Sequence, residues 1–430
     1  MQDIGTFNAY LKAQDNEVHR RLLADNVGDT FRWLMAMGVE FYGPIAAPPH
    51  RKSRMHNVLP NSRAYIYHLG KHARSIGVDI RTEVRAQELI VEDGRVVGVL
   101  GDTQNGQTEF RARGGVVLST GDFAGNAEMR AKYLAPEVAH AQLVNPTNTG
   151  DGHRMALELG NRIVNPDLYH AGLRFKPPPQ SWVTAIPPYR VITKLMNVAL
   201  QTLPGWMLRP FMLSFLTTIL APEHKLFSAG ALVINREGKR FSDERGDMIP
   251  KLLEQPCQFG YILLDARLVE LFSKAPHVVS SAPGVAWIYL PDYRKTRKDV
   301  YRSGNTLPEL TAAIGVPLQA LEQTIQSYNS DISRPDGNRP AFGAGPYVAL
   351  GPVHYHMAFS DSGVATNGKL QVLGPADKPI PGLFASGFIG LGGVLLEGHG
   401  HHLGWAFTSG RFAGRHAAFG VLSDGAAGTA

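Results

Sequence analysis

Apolar positions recur three and four residues apart through "EVHRRLLADNVGDTFRWLMAMGVEF" (17–41). That spacing puts Val27, Phe31 and Leu34 on one face and predicts an amphipathic helix closed by Gly38. A second helix is predicted for "AYIYHLGKHARSIG" (64–77), ending at Gly77. The period then shortens to two. "VDIRTEV" (78–84) reads as a short strand, and "AQELIVEDGRVVGVL" (86–100) as a hairpin turning at Asp93-Gly94. "FRARGGVVLST" (110–120) reads as a further strand, and its run Val116, Val117, Leu118 has the continuous apolarity of a buried parallel sheet. It leads into the glycine turn "TGDFAGN" (120–126), and "NTGDGHRMALELGN" (148–161) reads as a turn entering a helix.

From about residue 165 the composition shifts, beginning with the proline-rich "RFKPPPQSW". There follow a hairpin at "GALVINREGKRFSDE" (230–244), a strand and helix at "YILLDARLVELF" (261–272), and two helices at "LPELTAAIGVPLQALEQTIQSYN" (307–329). The last part returns to strands, "HYHMAFSDSGVATNGKLQVLG" (354–374) and "GLFASG" (382–387), and ends on a helix. An α/β fold of two intertwined domains follows, with an α+β insertion at 165–340 between a first part at 1–164 and a C-terminal part at 341–430. At 430 residues, 44% hydrophobic and 19% charged, the chain has a globular composition.

One cysteine, Cys257, excludes a disulfide framework and thiolate metal or iron–sulfur clusters. It fits a reducing cytoplasm, and "MQDIGTFNAY" lacks the basic-then-apolar pattern of a secretion signal. The net charge of +6 comes from scattered residues, the densest run being "HRKSRMH" (50–56). It reads as solubility with a pull toward anionic substrates or membrane surfaces, and not as a nucleic-acid site. The apolar stretch 195–220 is long enough to span a bilayer. Pro204, Pro210 and Arg209 argue against a simple span, which leaves substrate-covering helices or peripheral contact with a membrane surface.

Four motifs occur in register: "VVLSTGDFAGNAEMRAKYL", "NTGDGHRMALELG", "GALVINREGKRFSDE" and "PIPGLFASGFIGLGG…TSGRFAG". In this order they resemble the FAD-dependent family of fumarate reductase and succinate dehydrogenase flavoproteins, which includes the 3-ketosteroid dehydrogenases. The resemblance implies a Rossmann-like FAD-binding domain with an inserted substrate domain. It also implies that FAD performs the redox chemistry on a CH–CH bond next to a carbonyl, with electrons passing to or from an unidentified acceptor or donor. By the same resemblance Val84, Thr120, Gly121, Asp151, Gly387, Phe388, His402 and Leu403 occupy cofactor-binding positions. The flavin's reduced ring carries negative charge, so backbone amides and a helix N-terminus at "GHGHHLGWAFTSGRFAG" suit it.

The chain also departs from the family. It holds no G-x-G-x-x-G, so it reads as N-terminally truncated relative to the family, and a flavin-free remnant that binds a lipophilic ligand stays open. Phe388 stands where an acidic residue is usual. Met248, Ala358 and Glu397 stand where the fumarate enzymes place a proton-donating arginine, a substrate histidine and a second arginine. A dicarboxylate site needs such cations, so an apolar, ketosteroid-like substrate is expected instead. The catalytic candidates are Glu397, His401, His170 and Tyr355, the last between His354 and His356 on an alternating strand. No metal is expected at Glu397, His399, His401 and His402, because no H-E-x-x-H spacing is present.

Overall fold

The computed structural model describes residues 13–46, 52–139, 141–177, 185–214, 220–244, 246, 248–282, 286–331, 340–396 and 400–426. Helix α1 (Glu17–Ala36) is capped by Asn16, whose side chain accepts from the His19 N–H. Its buried stripe runs through His19, Thr30 and Leu34, while Val27 is 38% exposed and lies against Gly404 of the C-terminal helix. The ring nitrogens of His19 lie 3.0 Å from the Leu391 carbonyl and 3.1 Å from that of Asn367, which ties the helix to the C-terminal third. Strands β1 (Glu40–Ile45) and β2 (Met55–Leu59) pair antiparallel, and α2 (Arg63–Ser75) stops before Gly77.

No strand forms at 78–84, because nothing pairs with that segment and Val78 and Ile80 are exposed. Strands β3 (Arg85–Glu92), β4 (Arg95–Thr103) and β5 (Gly106–Arg111) form an antiparallel meander, the first turn at Asp93-Gly94 as its sequence predicts. "FRARGGVVLST" divides into two elements, since β5 ends before the glycines and β6 (Val116–Leu118) joins a different sheet. Strand β7 (Gln142–Leu143), helix α3 (Asp151–Glu158), β8 (Ile163–Val164) and β9 (Tyr169–Phe175) follow.

The apolar stretch is broken at Pro204 into α4 (Arg190–Thr202) and α5 (Gly205–Ser214). No helix among the described residues is long and apolar enough to cross a membrane. Then come β10 (Leu232–Ile234), β11 (Phe259–Leu264), α6 (Ala266–Leu271), the paired β12 (Ser280–Ala282) and β13 (Ala286–Ile288), and β14 (Tyr301–Gly304). Helices α7 (Leu307–Ile314) and α8 (Leu318–Asp331) precede the long β15 (Tyr347–Ser360). The chain closes with β16 (Gly363–Val364), β17 (Gln371–Leu373), β18 (Pro379–Ala385) and α9 (His401–Ala426).

Two sheets position the site. The larger runs β10-β11-β15-β14, with β7 and β9 also paired to β15. It therefore takes strands from all three segments expected from the sequence. One face of β15 and β9 carries Val353, Tyr355, Met357, Leu173 and Phe175 into the main hydrophobic core. The smaller sheet runs β17-β18-β6, with β6 and β18 parallel, over a second core built on Leu118, Met155, Leu383 and Ile389.

Candidate active site

The parallel pair β6 and β18 ends in step, Leu118 opposite Ala385. Just beyond, the Ser119 and Ser386 hydroxyls lie 2.7 Å apart, Ser119 and Thr120 are exposed, and both chains turn at glycine. Gly121 has φ 79° and Gly387 φ 67°, conformations that side chains disfavour. The crevice outside the carboxyl ends of parallel strands is the usual ligand position in α/β folds. Asp151 begins α3 beside this edge, and the two oxygens of its carboxylate face Arg85 at 3.1 and 3.2 Å. The hydrogen bond and charge of Arg85 hold the Asp151 pKa down. Val84 lines a cavity of about 500 Å³ together with Arg81, Thr103, Gln104 and Phe110. Gly387 donates to the Ser409 hydroxyl and accepts from the Trp405 indole, so α9 is fastened to the end of β18.

The other wall comes from the large sheet. On β9, His170, Gly172 and Arg174 alternate to the face opposite the main core, and their partners on β15 are Phe359, His356 and His354. A bulge between Met357 and Phe359 brings Phe359 onto that face. Immediately after β15 comes Asp361, 3% exposed. Nε2 of His170 lies 2.5 Å from one of its oxygens, and Nε2 of His402, in the first turn of α9, lies 2.8 Å from the other. Burial pushes the Asp361 pKa up, but the hydrogen bonds and charges of the two imidazoles prevail and hold it far below the usual carboxylate range. Aromatic rings surround the unit. Phe359 packs on His170 at 4.6 Å and on His402 at 4.7 Å, and Phe388 stacks on His402 at 5.0 Å and 15°.

The sequence candidates thus divide. His170, Phe388 and His402 meet around Asp361, while Thr120, Gly121, Gly387 and Asp151 gather at the strand ends. His401 and the half-exposed Leu403 begin α9 alongside. Tyr355 does not join them: strict alternation on β15 turns it to the other face, where it is 1% exposed in the core. Glu397 and His399 lie outside the described residues. Met248 is buried in the main core. Sequence reasoning missed Asp361 and Phe359, whose only signal is the acid in "FSDSG" directly after the histidine-rich strand. Among the described residues, His170, Asp361 and His402 also offer ligand atoms within 4.8 Å of one another, and of the four residues weighed from sequence only His402 belongs to this group.

A sequence profile described as "FAD binding domain" matches residues 8–394. A probable fumarate reductase, Ifc3, of Shewanella frigidimarina is 28% identical over 419 residues, covering 92% of this chain and 60% of that protein. The 4-oxocyclohex-2-ene-1-carboxylate 5-dehydrogenase of Sinomonas cyclohexanicum is 27% identical over 367 residues, covering 76% and 54% respectively. The chain therefore spans little more than half the length of these relatives. Among solved structures, an open conformation of a flavocytochrome c3 fumarate reductase superposes with a TM-score of 0.69 at 24% identity, over 98% of this chain and 68% of that one. This last likeness concerns the fold.

Proposed function

The chain belongs to the FAD binding domain family, and from that premise we propose that it is an FAD-dependent oxidoreductase acting on a CH–CH bond next to a carbonyl in an apolar, ring-shaped substrate. The observation that carries this reading is the buried Asp361 carboxylate holding His170 and His402, with Phe359 packed on both imidazoles and Phe388 stacked on His402. The features at the strand ends fit the cofactor: the exposed Ser119 and Thr120 at the end of β6, glycine turns after both strands of the parallel pair, a cavity at Val84 and a helix N-terminus. Val84, Thr120, Gly121, Asp151 and Gly387 would hold FAD along this edge, with Phe388 and the first-turn amides of His402 and Leu403 at its far end. When bound, FAD supplies the hydride chemistry.

The protein's own part is proton handling and exclusion of water. Asp361 holds the Nε2 side of both imidazoles and so orients them, and His170 or His402 passes a proton to or from the substrate beside its carbonyl. Glu397 and His401, next to His402 in sequence, are the remaining candidates for contact with that carbonyl. The aromatic rings of Phe359 and Phe388 suit a flat apolar group better than a dicarboxylate. The acceptor or donor of electrons is a separate molecule, and a lipophilic substrate would arrive from a membrane surface, the contact expected of 195–220.

The stacking of Phe388 on His402 favours a second reading, a flavin-free relative that binds a lipophilic ligand. Reconstitution decides between them. The purified chain is mixed with FAD, gel-filtered, and assayed with a cyclic enone and with fumarate, a reduced viologen dye supplying the electrons. A yellow protein that turns over the enone in preference to fumarate is expected. A colourless protein that takes up no FAD overturns the oxidoreductase reading, and preference for fumarate overturns the apolar substrate.

A further inference from the structure

The charge of this chain is unevenly placed. Residues 41–78 hold six Lys and Arg and no acidic residue, and residues 168–222 hold five and none. The rest of the chain carries 32 Lys and Arg against all 37 Asp and Glu, a net of −5, so these two segments more than account for the total of +6. They are neighbours in the fold. The imidazole of His68 on α2 bonds the Pro188 carbonyl at 2.9 Å, and the Tyr67 ring lies 5.7 Å from that of Tyr189. Lys71 and Arg190 both lie close enough to lower the His68 pKa, after the larger effect of burial.

The helix that follows Tyr189 is two-faced. The inner side of α4 is buried at Thr193 and Leu200, and its Asn197 bonds Glu40 at 2.6 Å and the Phe41 carbonyl at 3.2 Å. The outer side presents Val191, Leu195 and Val198, at positions i, i+4 and i+7, exposed by 71%, 66% and 58%. On α2, one residue before Tyr67, stands Ile66, 79% exposed. Arg190 and Lys194 are exposed on α4 itself, and Arg63, Lys71 and Arg74 on α2. Scattered exposed apolar residues need no explanation, but an exposed apolar stripe on chain segments that hold cations and no acidic residue does.

We propose that this face, α4 with the outer side of α2, docks on the surface of an anionic phospholipid bilayer. The apolar stripe enters the boundary between headgroups and acyl chains while the flanking Lys and Arg meet lipid phosphates. Charge selects this partner: a neutral hydrophobic protein surface would leave the flanking cations unpaired, and a nucleic acid would have no use for the stripe. The two helices of 195–220 do not span the bilayer; the chain rests on it. The proposal does not depend on the redox reading.

The test is co-sedimentation of the full chain with vesicles of phosphatidylcholine alone and of phosphatidylcholine mixed with phosphatidylglycerol. Binding to the anionic vesicles, released by high salt, is expected, with weak binding to the neutral ones. Leu195→Asp and the pair Arg190→Glu/Lys194→Glu each lower the anionic partition coefficient by roughly tenfold or more. All three positions are exposed, so melting temperature and FAD uptake stay as in the parent, which separates this outcome from failure of the active-site reading. A parent chain that stays in the supernatant with both vesicle types overturns the proposal. So does binding that neither substitution weakens, and so does a parent dimer that Leu195→Asp converts to monomer, since the stripe would then be closed by a second copy.

Discussion

Two pairs of histidines face the same side of the large sheet and differ in what they touch. His170 and His402 share the buried carboxylate of Asp361, one on each oxygen. Further along β15, the rings of His354 and His356 sit 5.9 Å apart. Nδ1 of His354 meets the Gln142 side chain at 3.2 Å, and Nδ1 of His356 lies 3.4 Å from the His354 carbonyl. Burial pushes both of their pKa values down, and the neighbouring charges that act on His356, from His354 and Arg174, push the same way. Equal residue type and similar burial therefore give opposite chemistry. A carboxylate gives an imidazole a partner that fixes its orientation for proton transfer, whereas burial without one disfavours the charged ring.

The largest effect expected from this contrast comes from Asp361→Asn. The amide keeps the shape and one acceptor but loses the charge that stabilises an imidazolium. In FAD-loaded protein, kcat falls by roughly a hundredfold or more. The pH dependence changes as well. Asp361 is held below its unfolded value, so its contribution to stability is present above the unfolded pKa near about 4 and is lost as pH falls below it. The variant loses that acid-side decline in a urea-midpoint series. Unchanged turnover in flavin-loaded Asp361→Asn would break the comparison at its centre.

A third buried histidine sharpens it. His153, fully buried on α3, is pushed down to about 4 by desolvation. The unfolded chain takes up a proton near about pH 6.5, so this site costs stability as pH drops from there, by up to about 3 kcal/mol. Asp122, also buried, is pushed up to about 6 by desolvation, against hydrogen bonds from the Ala124 and Ser360 amides. Its contribution has the opposite sign: present below about 4, it is lost as pH rises to 6, by about 3 kcal/mol. The two slopes oppose each other between pH 4 and 6. His153→Gln removes one of them, and stability then falls with rising pH across that window. A denaturation series in which the variant keeps the parent's slope counts against a neutral buried His153.

How much of this was legible follows from where the information lies. The hairpin at Asp93-Gly94 and the helices at 17–36, 63–75, 307–314 and 318–331 were readable, because a turn pair or a 3.6 period is a local property. "VDIRTEV" alternates just as well but finds no partner strand, and pairing is not written in seven residues. Motif order carried the family, which the FAD binding domain profile bears out. Asp361 was invisible for a different reason. Its role needs a bulge that brings Phe359 onto the site face, His170 from 191 residues earlier and His402 from 41 residues later. Tyr355 shows the reverse: alternation alone places it on the face away from His354 and His356, and the structure puts that face in the core.

The smallest effect belongs to the second pair. His354 lies five residues along β15 from Phe359, a path of roughly 16 Å at about 3.3 Å per residue, and His356 lies three residues away. A glutamine at either place can still pair with a neighbouring amide or carbonyl, so stability changes by no more than about 1 kcal/mol. Neither ring has a carboxylate to keep it charged, so His354→Gln and His356→Gln each lower kcat by less than about threefold. His356 decides more than His354, because it faces Gly172 next to Arg174 and is the nearer of the two. If His356→Gln raises KM while kcat holds, the sheet face beyond Phe359 binds substrate and the apolar pocket is longer than the aromatic cluster alone. If kcat instead drops tenfold, proton handling extends past Asp361, and the line between partnered and unpartnered histidines has been drawn in the wrong place.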